Sequence, residues 1–443
     1  MKFIFADSLD YVDPAFDFLA DRSAPERQPY WDDVYPHELL GYAPYDGVLV
    51  SRAILGGHRS KGKYTPAQAR RFEGAGARKF LRLDSPRFAT LPIFGDCGAF
   101  AYAQEAVPPY SPVEIAEFYE DCGFTHGCSV DHIIFDFDAS NPPASSVSER
   151  VRERFDITLG NAAEFLREVR AGGAAFTPLG AVQGWSPASM ADAARQLVGM
   201  GYDYLALGGM VPLKADEIAE CVRAVRSQVP ASTRLHILGF AKAEHIDAFQ
   251  PLGVTSFDST SPLIRAFKDA RQNYYLPGTG SGLSYYTAIR VPQALENPRL
   301  LRLVKKGQFR AEELTALEVR ALAALRAYDR GEAELEDALS ATITYGAVLV
   351  AEQPYEDCAS STPIKQLEAR YRTTLGDQPW KKCGCPICKE ASIDIIIFRG
   401  SNRNKRRGIH NLAVYKNHIE RLESLRAAND TFDLLRDPRT AER

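Results

Sequence analysis

FTPLGAV (176–182), SPASMADAARQLVGM (186–200), YLAL (204–207), ADEIAECVRAVRSQ (215–228) and RLHIL (234–238) follow one another with short polar joins. The first, third and fifth are brief apolar runs of strand length. The second and fourth carry apolar residues every three or four positions, which is the helical period. Strand and helix alternating in this way read as parallel β/α units. Working outward, Gly47–Ser51, Ala89–Phe94 and His132–Phe137 upstream and Val254–Phe257 downstream read as further strands, and Asn161–Ala171 as a further helix. Seven or eight such units suit a closed barrel better than an open sheet. The predicted fold class is α/β, with a (β/α)8 TIM barrel favoured over an open sheet, although periodicity alone does not settle closure.

In such a barrel the C-terminal strand ends converge on the face that carries the active site. Asp96 follows the run that ends at Phe94, Asp136 and Asp138 close the 132–137 run, and Gln183-Gly184, Gly208-Gly209 and Asp258 each follow an apolar strand. Acids, amides and glycines also punctuate ordinary loops. Their shared placement at strand ends is what predicts one site built from many segments. Two carboxylates matter most, Asp258 in SFDSTSP (256–262) and Asp96 in GDCGAF (95–100). Paired carboxylates can cut a glycosidic bond, one attacking the anomeric carbon while the other handles the proton. The same pair would also serve a metal site or a hydrolase dyad.

A third landmark is CGCPIC (383–388), answered by His410. Thiolate sulfur and imidazole nitrogen are the ligands zinc prefers, and four of them close a tetrahedron. Cys383, Cys385, Cys388 and His410 are the expected set, with His418 as the spare fourth ligand. Four protein ligands leave no open position for water, so the predicted zinc is structural. The run Asp394–Phe398 reads as a strand that carries the chain away and back to His410.

With 443 residues, 45% of them apolar, the chain can bury one large barrel with additions. Residues 1–283 are expected to hold the barrel and 284–357 a helical insertion, with Glu312–Ala327 and Ala333–Leu339 as its helices. Ala359–Trp380 reads as a polar linker. Residues 358–443 are expected to hold the zinc subdomain and a C-terminal helix that completes the barrel. Eight cysteines in so long a chain do not make a disulfide framework, and their clustering suggests metal in a reducing compartment. Residues 1–7 lack a signal-like apolar run, and no segment has the length of a membrane span. The expectation is a soluble, cytoplasmic protein with no membrane partner. A net charge of −4 supplies no global attraction to nucleic acid, so any such contact rests on local patches. One patch runs from Arg52 to Arg87, with ten Lys/Arg against Glu73 and Asp84. The other is Arg399, Arg403, Lys405, Arg406 and Arg407. Both are predicted to touch phosphates.

The cysteine signature followed by IHNL (409–412) resembles the zinc subdomain of the tRNA-guanine transglycosylase superfamily, barrel enzymes that exchange guanine for a 7-deazaguanine. The resemblance extends through DCGAF (96–100), VQG (182–184), GGM (208–210), Leu238-Gly239 and Asp258 with Pro262 four residues on. It implies Asp258 as nucleophile, Asp96 as general acid/base and Phe100 stacked on the exchanged base. It further implies Gln183, Gly184, Gly208, Gly209 and Met210 in base recognition, with Leu238 and Gly239 covering the other face. The acid that reads the guanine edge is expected to be Asp136 or Asp138, since residues two apart on a strand share a face. The departures point towards the superfamily's DNA-acting branch. Ile264 and Phe267 stand where tRNA-acting members carry loop-reading arginines, and the stretch from Asp258 to Cys383 is longer than theirs. The implied activity is guanine exchange in DNA, with 7-cyano-7-deazaguanine (preQ0) as the incoming base. The target base must leave the stack, and the chain has no P-loop, so an ATP-driven partner that opens the duplex is expected. The alternatives are the same exchange on tRNA and a non-catalytic, zinc-bearing subunit that binds nucleic acid.

Overall fold

The computed structural model describes residues 1–56, 62–240, 246–278 and 282–436, except the side chains of 247 and 426–436. Eight parallel strands close a barrel in sequence order: β1 (Lys2–Ala6), β2 (Gly47–Ser51), β3 (Ile93–Asp96), β4 (His126–Cys128), β5 (Thr177–Val182), β6 (Tyr204–Leu207), β7 (Arg234–Ile237) and β8 (Ser256–Ser259). The closing pair sets Ile4 of β1 opposite Asp258 of β8. Ile4, Leu49, Phe94, Cys128, Leu179, Tyr204 and Ala206 form one buried cluster, a filled barrel interior with no pore. All four residues of β6 are buried, as expected for a strand covered on both faces.

The crossover helices carry clear local signals. In Pro187–Met200 the Ser186 hydroxyl accepts from the N–H of Ser189, Pro187 opens the first turn, and Gly201 ends the helix at φ 106°. The expected (β/α)8 architecture is present, with boundary differences. The chain's first strand, β1, is an apolar run that the sequence reading passed over. The predicted strand His132–Phe137 is not one. β4 lies earlier, at His126–Cys128, and residues 130–134 are buried irregular backbone. Their apolar character reflects burial, and side chains take the place of ladder bonds. Thr158 Oγ1 accepts from His132 N at 3.0 Å, Gln183 Oε1 accepts from Ile134 N at 3.2 Å, and Arg154 donates to Ile133 O at 2.7 Å.

By internal contacts the chain divides into two units. One comprises Met1–Leu9, Tyr45–Thr260 and Leu422–Arg443, and the other Asp10–Pro44 with Ser261–Arg421. The second unit is richly helical, with helices at Ala311–Arg330, Leu335–Ala351 and Thr362–Asp377 and the start, at Ser401, of a long helix. Thr362–Asp377 lies where a linker was expected. Its buried Ile364, Leu367, Tyr371 and Leu375 keep helical spacing, a signal present in the sequence. Most of Asp394–Phe398 is 3-10 helix, leaving only Ile397–Phe398 as strand.

Candidate active site and metal centre

The carboxyl ends of the barrel strands enclose a cavity of about 130 Å³. It gathers Asp96, Phe100, Gln183, Gly208, Gly209, Leu238, Gly239 and Asp258, all expected from sequence, together with Asp131. Gly184 and Met210 are buried but do not line it. Phe100 is 57% exposed, with the ring of Phe135 edge-on at 5.4 Å.

Asp136 and Asp138 do not reach the cavity. Both are exposed, Asp136 facing Arg150 at 3.6 Å and Asp138 accepting from Ser140 N at 2.8 Å. The inference that they share a strand face fails because there is no strand there. The acid in the cavity is Asp131, three residues beyond β4 and 3% exposed. Its Oδ2 accepts from Gln183 Nε2 at 2.5 Å and its Oδ1 from the Cys97 thiol at 3.0 Å. Burial raises the Asp131 carboxyl above its usual range, while these two donors pull it back. Burial and the neighbouring acids hold the Cys97 thiol well above its ordinary value, so it remains a donor. Gly208 is a fitted position, because a Cβ there would fall 2.2 Å from Gln183 Nε2. Asp131 was missed because it sits in buried irregular backbone rather than at a recognisable strand end.

Asp96 ends β3. Burial first, then the charge of Asp131, pushes its carboxyl up to about 7, with Asp258 adding to the rise. Hydrogen bonds from Gly98 N–H and the Ser51 hydroxyl act in the opposite direction. Asp96 is therefore poised near neutrality, where one carboxyl can give and take a proton. Asp258 is 7% exposed. Its Oδ1 accepts from Gly239 N at 3.0 Å, and His236 Nε2 lies 3.1 Å from the same oxygen. Gly239 adopts φ +67°, a backbone that turns its N–H towards the acid without a side-chain penalty.

Cys383, Cys385, Cys388 and His410 bring their ligand atoms within 4.8 Å of one another, an arrangement that could hold a metal ion. His410 Nδ1 lies 3.5 Å from the sulfurs of Cys383 and Cys385 and 3.3 Å from that of Cys388. Around a tetrahedral ion with metal–sulfur and metal–nitrogen bonds of about 2.3 and 2.0 Å, sulfur and nitrogen stand roughly 3.5 Å apart. His410 Nε2 is 2.8 Å from the Tyr275 carbonyl, to which it donates, leaving Nδ1 as the ligand. The Tyr274 ring stacks on the imidazole at 4.2 Å and its hydroxyl is 3.2 Å from Cys388 Sγ.

The basic run after the cysteines is not a phosphate-binding face. Arg399, Arg403, Arg406 and Arg407 are buried. Arg399 pairs with Asp21 at 2.5 Å and Glu318 at 2.6 Å, and Arg403 with Asp21 at 3.0 Å and with Asp394. Arg406 donates to Glu390 and to the carbonyls of Asp13 and Pro14. Arg407 donates to the carbonyls of Ile395, Ile397 and Ala266, and burial lowers its guanidinium to about 9. Lys405 is half-buried and donates to the Tyr11 carbonyl at 3.3 Å. Arg399, Arg403, Lys405 and Arg406 stitch Asp10–Pro44 to the rest of their own unit. In the other patch Lys63, Arg70, Lys79 and Arg87 are exposed, whereas Arg59 and Lys61 lie outside the described residues. Among the described residues no helix is long and apolar enough to cross a membrane.

Residues 129–294 match the family model described as queuine tRNA-ribosyltransferase. A DNA-guanine transglycosylase of Salmonella montevideo is 41% identical over 434 residues, which is 96% of this chain and 98% of that protein. Identity at that level over nearly the full length of both chains leaves no large segment unaccounted for. The chain belongs to the guanine transglycosylase family of base-exchanging pentosyltransferases.

Proposed function

We propose that this protein exchanges guanine in DNA for a 7-deazaguanine base, preQ0, through a covalent bond between Asp258 and C1′ of the deoxyribose. The observation that carries the reading is one cavity holding Asp96 and Asp258, in a chain 41% identical to a DNA-guanine transglycosylase. A carboxylate oxygen of Asp258 attacks C1′, and the C1′–N9 bond breaks with its electron pair on the base. Protonated Asp96 donates to the departing guanine. The incoming base then loses its N9 proton to the Asp96 carboxylate, its N9 attacks C1′, and the Asp258–C1′ bond breaks. The outgoing and incoming bases occupy the same face of the sugar, opposite Asp258, so the two inversions retain the configuration at C1′.

Asp131 and Gln183 read the base. A carboxylate accepts from the N–H donors of a guanine-type edge, and the Gln183 amide next to it adds a donor and an acceptor. Phe100 supplies a stacking surface at the mouth, and Leu238 and Gly239 cover the other face. Replacing Asp131 by Asn should raise the half-saturating base concentration about 10–100-fold, the cost of leaving buried donors mismatched. Asp138→Asn should leave it unchanged. Equilibrium binding of guanine to the full chain measures both.

The position of Asp96 near 7 gives a pH signature. Below 7 the carboxyl is protonated and serves as the acid for guanine release; above 7 it ionises. The rate of guanine release in a single turnover should therefore fall about tenfold per pH unit above 7, and Asp96→Asn should remove that limb while costing about 10²–10⁴ in rate.

The target is DNA in this reading because Ile264 and Phe267, where arginines would read a tRNA loop, are apolar. Exposed Lys63, Arg70, Lys79 and Arg87 suit contacts with a phosphate backbone. Extruding a base from duplex costs roughly a few kcal/mol, which an ATP-driven partner would offset by opening the strands. The Cys383–Cys385–Cys388–His410 cluster binds zinc and serves folding. Nuclease digestion and mass spectrometry of DNA and tRNA from cells with and without the protein test the reading. Deazaguanine confined to DNA is the expected result, and deazaguanine confined to tRNA would overturn it in favour of the tRNA enzyme.

A further inference from the structure

Behind Asp258 lies a chain of polar side chains in the barrel interior that the exchange chemistry does not use. Tyr204 of β6, His236 of β7 and Ser256 of β8 are all buried, at 3%, 0% and 0% exposure. Tyr204 OH is 2.6 Å from Ser256 Oγ, Ser256 Oγ is 2.6 Å from His236 Nδ1, and His236 Nε2 is 3.1 Å from Asp258 Oδ1. Each hydroxyl has a single hydrogen, so the direction of the chain can be worked out. Tyr204 donates to Ser256, Ser256 donates to Nδ1, and the ring hydrogen of His236 then sits on Nε2, aimed at Asp258. The reverse order would leave the Tyr204 hydrogen without an acceptor inside the barrel. Burial pushes the Tyr204 phenol up to about 12, so it stays a donor. The ring of His236 is stacked on Phe94 at 5.3 Å, which limits its rotation.

From this geometry we infer that His236 is a positioning residue for the nucleophile, held by the Tyr204–Ser256 relay as the Nε2–H tautomer. Together with Gly239 N–H it pins Oδ1 of Asp258 and leaves Oδ2 as the attacking oxygen. Among the described residues no hydrogen bond reaches Oδ2, while Oδ1 receives both donors. Two donors on one oxygen orient the carboxylate and concentrate its free lone pairs on the other. His236 itself never touches substrate.

The inference rests on Asp258 being the nucleophile, and one experiment separates the two. The full-length protein is mixed with a single-stranded oligodeoxynucleotide containing one guanine, and adduct formation is followed by intact-protein mass spectrometry with peptide mapping. His236→Phe keeps a flat ring but removes the donor. It should slow adduct formation about 10–100-fold with the half-saturating oligonucleotide concentration unchanged, the effect of one hydrogen bond to a charged group. His236→Gln, which restores an N–H donor, should recover most of the rate. Ser256→Ala releases the tautomer and should slow the step severalfold. A folded His236→Phe within about twofold of wild type, or a Gln variant as slow as Phe, overturns the inference while an adduct on Asp258 stands. If His236→Phe does not fold, an unchanged rate in Ser256→Ala overturns it instead. A wild-type adduct mapped elsewhere removes the nucleophile and this inference with it.

Discussion

Asp258→Asn should form no covalent adduct with a guanine oligonucleotide, and its base exchange should fall by on the order of 10⁴–10⁶, to background. The amide matches the acid in size and still accepts from Gly239 N–H, so the fold and the cavity survive. What it lacks is the negative oxygen proposed to attack C1′. Asp96→Asn removes the proton carrier and keeps the nucleophile, so an adduct should still accumulate slowly in that variant while full exchange is lost. The contrast between the two variants assigns the roles more sharply than either alone. Mass spectrometry of the denatured protein reads both, and full activity in Asp258→Asn would falsify the nucleophile assignment.

The second large effect is expected at the metal centre. Structural zinc sites contribute on the order of 10–16 kcal/mol of apparent binding free energy that is coupled to folding. Here the ligands join CGCPIC (383–388) to the long helix from Ser401 through His410, and His410 is in turn held by the Tyr275 carbonyl and the Tyr274 ring. Without an ion, three thiols and an imidazole are left crowded together, two of the four ligands buried. Cys388→Ser should therefore lose bound zinc and lower the melting temperature sharply, with hydrogen exchange rising first in residues 261–421. Elemental analysis after purification without chelator should give about one zinc per wild-type chain. A Cys388→Ser protein that keeps its zinc and its melting temperature would show that the cluster does not support folding.

Much of the candidate site was legible in the sequence for a local reason. In a (β/α)8 barrel each strand delivers the residue after it to the same face, so Asp96, Gln183, Gly208 and Asp258 could be placed together from the order of strands, while Gly239 came from the family resemblance. The candidate metal ligands were legible because three of them lie within six residues of sequence. Other features required the tertiary structure. Asp131 replaces Asp136 and Asp138 because the backbone after β4 is satisfied by Thr158, Gln183 and Arg154, residues distant in sequence, and so never forms the strand its apolar pattern suggests. The arginines at 399–407 look like a solvated basic face until Asp21, Glu318, Asp394 and Glu390 close on three of them, and backbone carbonyls take up Arg407. A charge run by itself carries no information about whether its counter-charges are water or buried acids. His236 was hidden for a related reason. Within RLHIL (234–238) it is one polar residue in a strand, and its meaning depends on which side chains of β6 and β8 close on it when the barrel forms.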